Sequence, residues 1–501
     1  MLSKSNTDEM QSYLVDASNL AGGHAARVVF PETALEVAAA LAEASRDGVA
    51  VTVSGAGTGV VGGRVPFGGI VLATDRLNRI GEIVKEDEGG RARAEAGVVL
   101  AEFQRAVEGR GLLYPPDPTE RSCYLGATVA TNSSGARTFK YGPTRRYIRR
   151  LKIALANGDV IDLARGEIFA DEKGRLSIPT SDGRRIEAQL PAYRMPQTRK
   201  HAAGYYVEPL MDAIDLFIGS EGTLGVICEV ETALLPRPSG VLGGVVFFHA
   251  EENLLAFVRE ARAASLRTRA ANPKNNRGEL DARALEFFDA EALNFLREKF
   301  PLIPSEAAGA IFFEQETNGE TEERLFAAWH ALLERHEAAL DASWFATNER
   351  DGQRLREFRH ALPVHVNEWL ARRGQRKVST DMSVPDEAFA AMLRFYQETL
   401  RASELQYVIF GHIGDNHVHV NILPRDDRQA TQAREIYRQF IERAVRVGGT
   451  ISAEHGVGKL KRDYLRTLYG DEHVRQMAAL KRAFDPACIL GRGNMFAESY
   501  L

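Results

Sequence analysis

The amino-acid sequence predicts an α+β fold of two main parts and a helical C-terminal segment, and three observations carry that expectation. A strand, a loop of closely spaced glycines and a second strand run through VTVSGAGTGVVGGRVPFGGIVLATD, residues 51–75. At Pro236, Pro238, Ser239 and Gly240 the pattern breaks as it does at a domain boundary. Beyond that break, apolar runs (GGVVFFHA, AGAIFFEQE, YVIFGH, HVHVNILP) alternate with charged helical patterns at 252–265, 321–339 and 386–402. These read as a mixed α/β domain with an antiparallel sheet and helices on one face. The expected divisions are 1–25 for an N-terminal helix and connector, 26–238 for the first domain, 239–440 for a cap domain and 441–501 for a closing C-terminal segment.

At 501 residues the chain exceeds what one core supports. With 44% hydrophobic and 26% charged residues it belongs with folded globular proteins, and a formal net charge of -5 excludes nucleic acid as its main partner. Cys123, Cys228 and Cys488 lie far apart, which excludes a disulfide framework or thiolate cluster site and fits a reducing cytoplasm. The N-terminus carries Asp8 and Glu9 and no sustained apolar run, so neither a signal nor a transit peptide is expected. No stretch is long and apolar enough to span a bilayer. A cytoplasmic location follows, with attachment to the inner membrane face open.

In chain order, a strand at RVVF leads into an amphipathic helix that starts near Glu32 or Thr33 and stops at Gly48. The strand VAVTVSG then feeds the glycine loop. There Gly55, Ala56, Gly57, Thr58 and Gly59 let the backbone turn several N–H donors the same way, a concavity suited to a pyrophosphate. Residues 57–62 also match GxGxxG, but that dinucleotide fingerprint needs a helix at its third glycine. Gly63, Pro66, Gly68 and Gly69 forbid one. After a helix at 100–108 comes an irregular stretch at 114–142, stiffened by Pro115, Pro116 and Pro118 and followed by small residues from Gly126 to Gly135. Such a surface lets backbone lie flat on a planar ring; a packed loop with a short buried helix is the other reading. A third piece, 215–238, reads as a strand at Phe217-Ile218, a turn at Gly219-Ser220-Glu221-Gly222 and a strand at 226–235.

These three pieces resemble the FAD-binding domain shared by the vanillyl-alcohol oxidase and p-cresol methylhydroxylase flavoproteins. The resemblance implies FAD held by Gly55, Ala56, Gly57, Thr58 and Gly59, by Pro116, Gly126, Ala127, Thr128, Asn132 and Ser133, and by Gly219, Glu221, Gly222, Gly225 and Val226.

Further on, FGHIGDNHVHVNILP (410–424) reads as a strand, a tight turn at Gly414-Asp415-Asn416 and a return strand. That sets His412 across from His419 and puts His417 and His419 on one face. ISAEHGVGK places Glu454 and His455 before a glycine turn. Two imidazoles and one carboxylate suit Zn²⁺, or Mn²⁺, with a position left for substrate; a structural role for any single histidine is the alternative. The motifs GHxGDxxxHxN and AEHGxG resemble those of the FAD-dependent D-2-hydroxyacid dehydrogenases, a group spanning D-lactate dehydrogenase, D-2-hydroxyglutarate dehydrogenase and the flavin subunit of glycolate oxidase. The resemblance implies His412, His419 and Glu454 as metal ligands, His455 as general base, Asn421 as a substrate hydrogen-bond donor and Arg359 as the clamp on the α-carboxylate. It also implies a small 2-hydroxy acid as substrate, with a quinone, a cytochrome or an electron-transfer flavoprotein as electron acceptor.

The sequence departs from that family in three places. The usual GDGN is Gly414-Asp415-Asn416-His417, and the extra imidazole competes as a ligand or tunes the site. The terminal NPGK is Gly491-Arg492-Gly493-Asn494. Ser379 stands where dicarboxylate-specific members carry a lysine, which favours D-lactate. Basic runs at 145–152 and 372–377 read as solvated faces or as a patch for an acceptor protein or anionic lipid, and 267–283 as a polar loop. A homodimer, a glycolate-oxidase-type assembly with an iron–sulfur partner, a zinc hydrolase and a non-catalytic flavin carrier stay open.

Overall fold

The computed structural model describes residues 1–272, 278–346 and 349–501. A four-stranded sheet runs in the order Leu2–Lys4, Arg27–Phe30, Ile70–Ala73, Val51–Ser54, the last three parallel. Residues 1–25 are therefore more than a helix and connector, since Leu2–Lys4 pairs antiparallel with Arg27–Phe30. Thr33 caps the helix Ala34–Arg46, its side chain accepting from the Glu36 N–H, and Val37, Leu41 and Ala44 bury against the sheet. On the free edge Val51 exchanges backbone hydrogen bonds with Ile489 and Gly491, so the C-terminal segment closes the first domain.

A second sheet is antiparallel, in the order Ile80–Glu86, Gly89–Glu95, Val226–Pro236, Ile148–Ala154, Val160–Ala164. The expected strand at Phe217-Ile218 is instead the end of a short helix, Ile214–Phe217.

The third sheet has seven antiparallel strands, in the order Trp344–Phe345, Gly240–Phe248, Gly309–Thr317, Ala282–Asp289, Tyr407–Gly411, His419–Ile422, Val378–Ser379. Helices cover both of its faces, not one. Phe257 and Trp329, from Glu251–Ala271 and Glu322–Arg335, pack with Leu285, Phe287 and Phe313. Leu293 and Phe358, from Ala290–Leu296 and Glu349–Ala371, pack with Ala284, Phe288 and Phe312. All of Ala282–Asp289 is buried, and a strand covered on both faces reads as a continuous apolar run. The segment 267–283 is helical through Ala271 and a strand from Ala282, with 273–277 outside the described residues. Among the described residues no helix is long and apolar enough to cross a membrane.

Candidate active site

The edge of the seven-stranded sheet sets the site. Tyr407–Gly411 pairs with His419–Ile422, Phe410 standing opposite His419. Between them Ile413–Asp415 makes a 3-10 turn and Asn416 takes a left-handed φ of 54°. Gly411 has φ 120°, and a Cβ there would stand 2.9 Å from the His419 ring, so only glycine lets that imidazole lie across the strand end.

His412 Nε2 and His419 Nε2 each lie 3.2 Å from Glu454 Oε1. Their outer nitrogens face acceptors: His412 Nδ1 is 2.7 Å from Glu286 Oε1 and His419 Nδ1 is 3.1 Å from the Thr380 carbonyl. Outer acceptors of this kind fix the tautomer and aim the inner lone pairs at one point. The second Glu454 oxygen accepts from Lys200 Nζ at 2.9 Å and Ser134 Oγ at 3.1 Å. Burial alone would raise the Glu454 carboxyl, but Lys200 and His412 hold it well below its ordinary value. Two imidazole nitrogens and a carboxylate oxygen converging in this way fit a divalent cation.

These residues line a cavity of about 170 Å³ together with Arg359, Asn421 and His455, so the three expected catalytic residues and the three expected ligands meet in one place. Arg359 Nε lies 3.3 Å from Glu286 Oε2, which ties the guanidinium and His412 to one carboxylate. Pro363, also on the cavity wall, has no N–H to offer the Arg359 carbonyl four residues earlier, which marks a weak turn in that helix.

Lys377 lines the cavity as well, which corrects the reading of 372–377 as a solvated face. Strand residues two apart share a face, so Lys377 stands with Ser379, which pairs with Asn421, on the His419 side of the sheet. Burial lowers its ammonium pKa, and no carboxylate among the described residues pairs with it. Arg145 is likewise not solvated: it is 3.1 Å from Asp215 Oδ1 and lies 4.0 Å over the Tyr206 ring.

His455 stands on the wall between this cavity and a second cleft. Gly55, Ala56, Gly57, Thr58 and Gly59, Gly126 and Ala127, and Glu221, Gly222, Gly225 and Val226 line that cleft. At Gly59 a Cβ would meet nothing within 4 Å and φ is not left-handed, so close approach of a ligand, rather than packing or strain, accounts for the glycine. The cleft thus fits the phosphates and ring of FAD. Gly126 and Gly225 serve protein packing, since a Cβ would stand 2.4 Å from Ala96 Cβ and 2.6 Å from Ile153 Cγ2.

Five residues expected to touch FAD are not on that wall; they brace the loops behind it. The Pro116 carbonyl accepts from Gln104 Nε2 at 2.9 Å, and Thr128 Oγ1 donates to the Leu125 carbonyl at 2.7 Å. Asn132 Oδ1 accepts from the Arg145 N–H at 3.0 Å, Ser133 Oγ is 2.7 Å from Thr131 Oγ1, and Gly219, at φ 89°, donates to the Val129 carbonyl.

Glu221 pins the turn after His455, accepting from the N–H groups of Val457 and Gly458 at 2.6 and 2.7 Å. Asp381 holds the same segment from the sheet side. Its carboxylate accepts from the His455 N–H at 3.0 Å, Lys461 Nζ at 2.6 Å and Ser452 Oγ at 2.6 Å. Burial, with the charges of Lys461 and His419, lowers the His455 pKa to about 4 against the raising effect of Asp381 and Glu454. At neutral pH the imidazole is therefore neutral, the form that takes a proton.

Sequence reasoning missed Glu286, Asp381, Lys200, Ser134 and Lys377. Glu286 had a signal, being a carboxylate inside the apolar run ARALEFFD, where a charge must be paired. Lys200 sits in a polar stretch with nothing to mark its burial.

Comparison with known proteins follows the same outline. The FAD binding domain model matches residues 25–164, and the C-terminal domain of FAD linked oxidases matches 250–495. The chain is 30% identical to the glycolate oxidase subunit GlcD of Bacillus subtilis (strain 168), over 94% of this chain and 89% of that one. It is 28% identical to a D-lactate dehydrogenase of Anaerostipes hadrus, over 92% and 87%. It is also 28% identical to a D-2-hydroxyglutarate dehydrogenase of Stutzerimonas stutzeri (strain A1501), over 98% and 95%. Among solved structures, alkyldihydroxyacetonephosphate synthase shares the fold, with a TM-score of 0.67 at 13% identity over 98% of this chain and 81% of that one.

Proposed function

The chain belongs to the FAD-dependent D-2-hydroxyacid dehydrogenase family, and on that footing we propose that it oxidises a small D-2-hydroxy acid to the 2-keto acid. FAD would lie in the glycine-lined cleft and a divalent cation of the Zn²⁺ class at His412, His419 and Glu454. One observation carries the reading: His455, a neutral imidazole, lies on the wall shared by the acid-binding cavity and the FAD cleft.

When bound, FAD supplies the hydride acceptor and the cation supplies a Lewis acid for the α-hydroxy acid. The chain's own residues do the rest. Arg359 grips the α-carboxylate, a planar match that suits guanidinium. Asn421 donates to the carboxylate or hydroxyl. His455 takes the hydroxyl proton, and Asp381, 3.4 Å from its Nδ1, stabilises the resulting imidazolium. A quinone, cytochrome or electron-transfer flavoprotein then removes the electrons.

Two substrate readings divide on neighbouring residues. Ser379 favours a small monocarboxylate, D-lactate first. Lys377, on the same cavity wall and with no partner carboxylate among the described residues, favours an acid with a second anionic group, such as D-2-hydroxyglutarate. Anaerobic bleaching of the flavin band at ~450 nm by D- and L-lactate, glycolate and D- and L-2-hydroxyglutarate, with and without chelator, tests both. Bleaching by a D-acid that chelation abolishes is the expected result. A yellow protein that no acid bleaches overturns the proposed reaction.

A further inference from the structure

His417 is one of the places where this chain departs from the family pattern, and the roles assigned so far do not use it. Its side chain is fully buried. The 3-10 turn and the left-handed Asn416 bring the His417 N–H back to the His412 carbonyl at 3.2 Å, so the loop folds its ring into the site. The ring centroid lies 4.5 Å from that of His419 and 5.3 Å from that of His412. Among the described residues, neither ring nitrogen makes an aligned hydrogen bond. Nε2 does lie 3.1 Å from Asp381 Oδ1, a close approach without hydrogen-bond alignment.

A fully buried imidazole with one nitrogen unpartnered and the other only beside Asp381 is costly unless something else satisfies it, because buried polar groups in native structures are almost always paired. A cation has a place there: His412, His417, His419 and Glu454 each offer one ligand atom, all within 4.8 Å of one another. The outer contacts repeat as well. His412 is backed by Glu286, His419 by the Thr380 carbonyl and His417 by Asp381, the arrangement that anchors ligating histidines from behind.

We infer that His417 is a metal ligand, so that this chain holds its cation with three imidazoles and one carboxylate in place of two imidazoles and one carboxylate. The inference rests on the proposed metal-dependent reading of the site and names its donor set. Three nitrogens and one oxygen form a set for Zn²⁺, Co²⁺ or Ni²⁺, and a poor one for Mn²⁺ or Mg²⁺, which prefer oxygen. Selection among ions follows: the site takes Zn²⁺ and rejects Mn²⁺. At the same position, an asparagine of the usual motif would offer an amide oxygen or nothing, and that discrimination would weaken.

The test uses the flavin-loaded full chain, stripped of metal and dialysed against Zn²⁺ or Mn²⁺, with bound metal counted by elemental analysis and the zinc environment read by X-ray absorption. The expected result is three imidazoles around zinc and Zn²⁺ bound at least ~100-fold more tightly than Mn²⁺. In His417→Asn the imidazole count falls to two and Zn²⁺ affinity drops by at least ~10–100-fold, with the flavin band unchanged. Two imidazoles in the unmodified chain would overturn the inference while leaving the dehydrogenase reading intact, and that measurement decides the matter even if the variant fails to fold. No stoichiometric metal at all would overturn the metal-dependent reading itself.

Discussion

Replacing Asp381 with asparagine is the sharpest single perturbation of the site's frame. The carboxylate is fully buried and accepts from Lys461 Nζ, Ser452 Oγ and the His455 N–H, with the Glu454 N–H at 3.2 Å. Burial alone would raise its pKa, yet His455, Lys461 and His417 hold it well below its ordinary value. Asparagine keeps the shape but loses the charge and turns one donor towards groups that are themselves donors. Lys461, only 7% exposed, then keeps its ammonium with no counter-charge. Breaking a buried pair by removing one partner costs about 3–5 kcal/mol. At ~2–4 °C per kcal/mol for a domain of this size, the midpoint of thermal unfolding should fall by about 6–20 °C. Calorimetry on the flavin-loaded protein measures it. Lys461→Met alone should also destabilise, while the double variant should recover a large part of the loss, because no uncompensated charge remains. A midpoint within ~2 °C of the unmodified chain, or strictly additive single losses, would refute the pairing.

Three other changes probe separate parts of the site. Glu221→Gln keeps only one acceptor for the Val457 and Gly458 N–H groups, so the His455 turn loosens; turnover per bound flavin should fall at least ~10-fold, each charge-assisted bond being worth ~1.5–3 kcal/mol. Arg359→Lys preserves the charge but not the planar fork, and should raise KM by ~10–100-fold for every acid that bleaches the flavin; an unchanged KM would remove Arg359 from the binding role. Asp289, the N-cap of the helix Ala290–Leu296, is pushed up to about 8 by burial, against the hydrogen bonds it accepts from Ala292 and Ile409. Between its unfolded value near ~3.9 and that raised value the native state holds a proton the unfolded chain lacks, so stability falls as pH rises through this window. Asp289→Asn, still a good cap, should flatten the fall in urea midpoint between pH 5.5 and 8.5, and a parallel slope in both proteins would show that Asp289 is not its source.

The glycine loop was legible because its chemistry is local. Gly55, Gly57 and Gly59 follow one another within a turn, and the disqualifying Pro66 stands close behind them. The hairpin carrying His412 and His419 was legible for the same reason, through strand, turn and period-two spacing. Helix placement on the cap sheet was misread although the cue was present, since GGVVFFHA and ARALEFFD are continuous runs rather than alternating ones, and only strands covered on both faces look that way. Lys377 was misread for a different reason. A basic run at the end of a helix looks solvated, and only the pairing of Ser379 with Asn421 reveals that its last residue turns into the cavity.

The remaining part of the site depends on which distant segments meet, and no local pattern encodes that. Glu454 accepts from Ser134 and Lys200 of the FAD-binding domain while contacting His412 and His419 of the cap. Lys200 has a side chain with no exposure, a state that an unpaired ammonium could not sustain, so its burial depends on Glu454 at 2.9 Å and Asp415 at 3.8 Å being in place. Glu454 in turn reaches that position only because Glu221 from one domain and Asp381 from the other grip the turn that follows it. The C-terminal segment is thus held by both domains at the point where the glycine-lined cleft and the cavity of His412, His419 and Glu454 share a wall. A change that loosens either grip should disturb Glu454 and His455 together, whichever domain it lies in. For that reason the effects of Glu221→Gln and Asp381→Asn on turnover should be strongly non-additive, although their carboxylates belong to different domains.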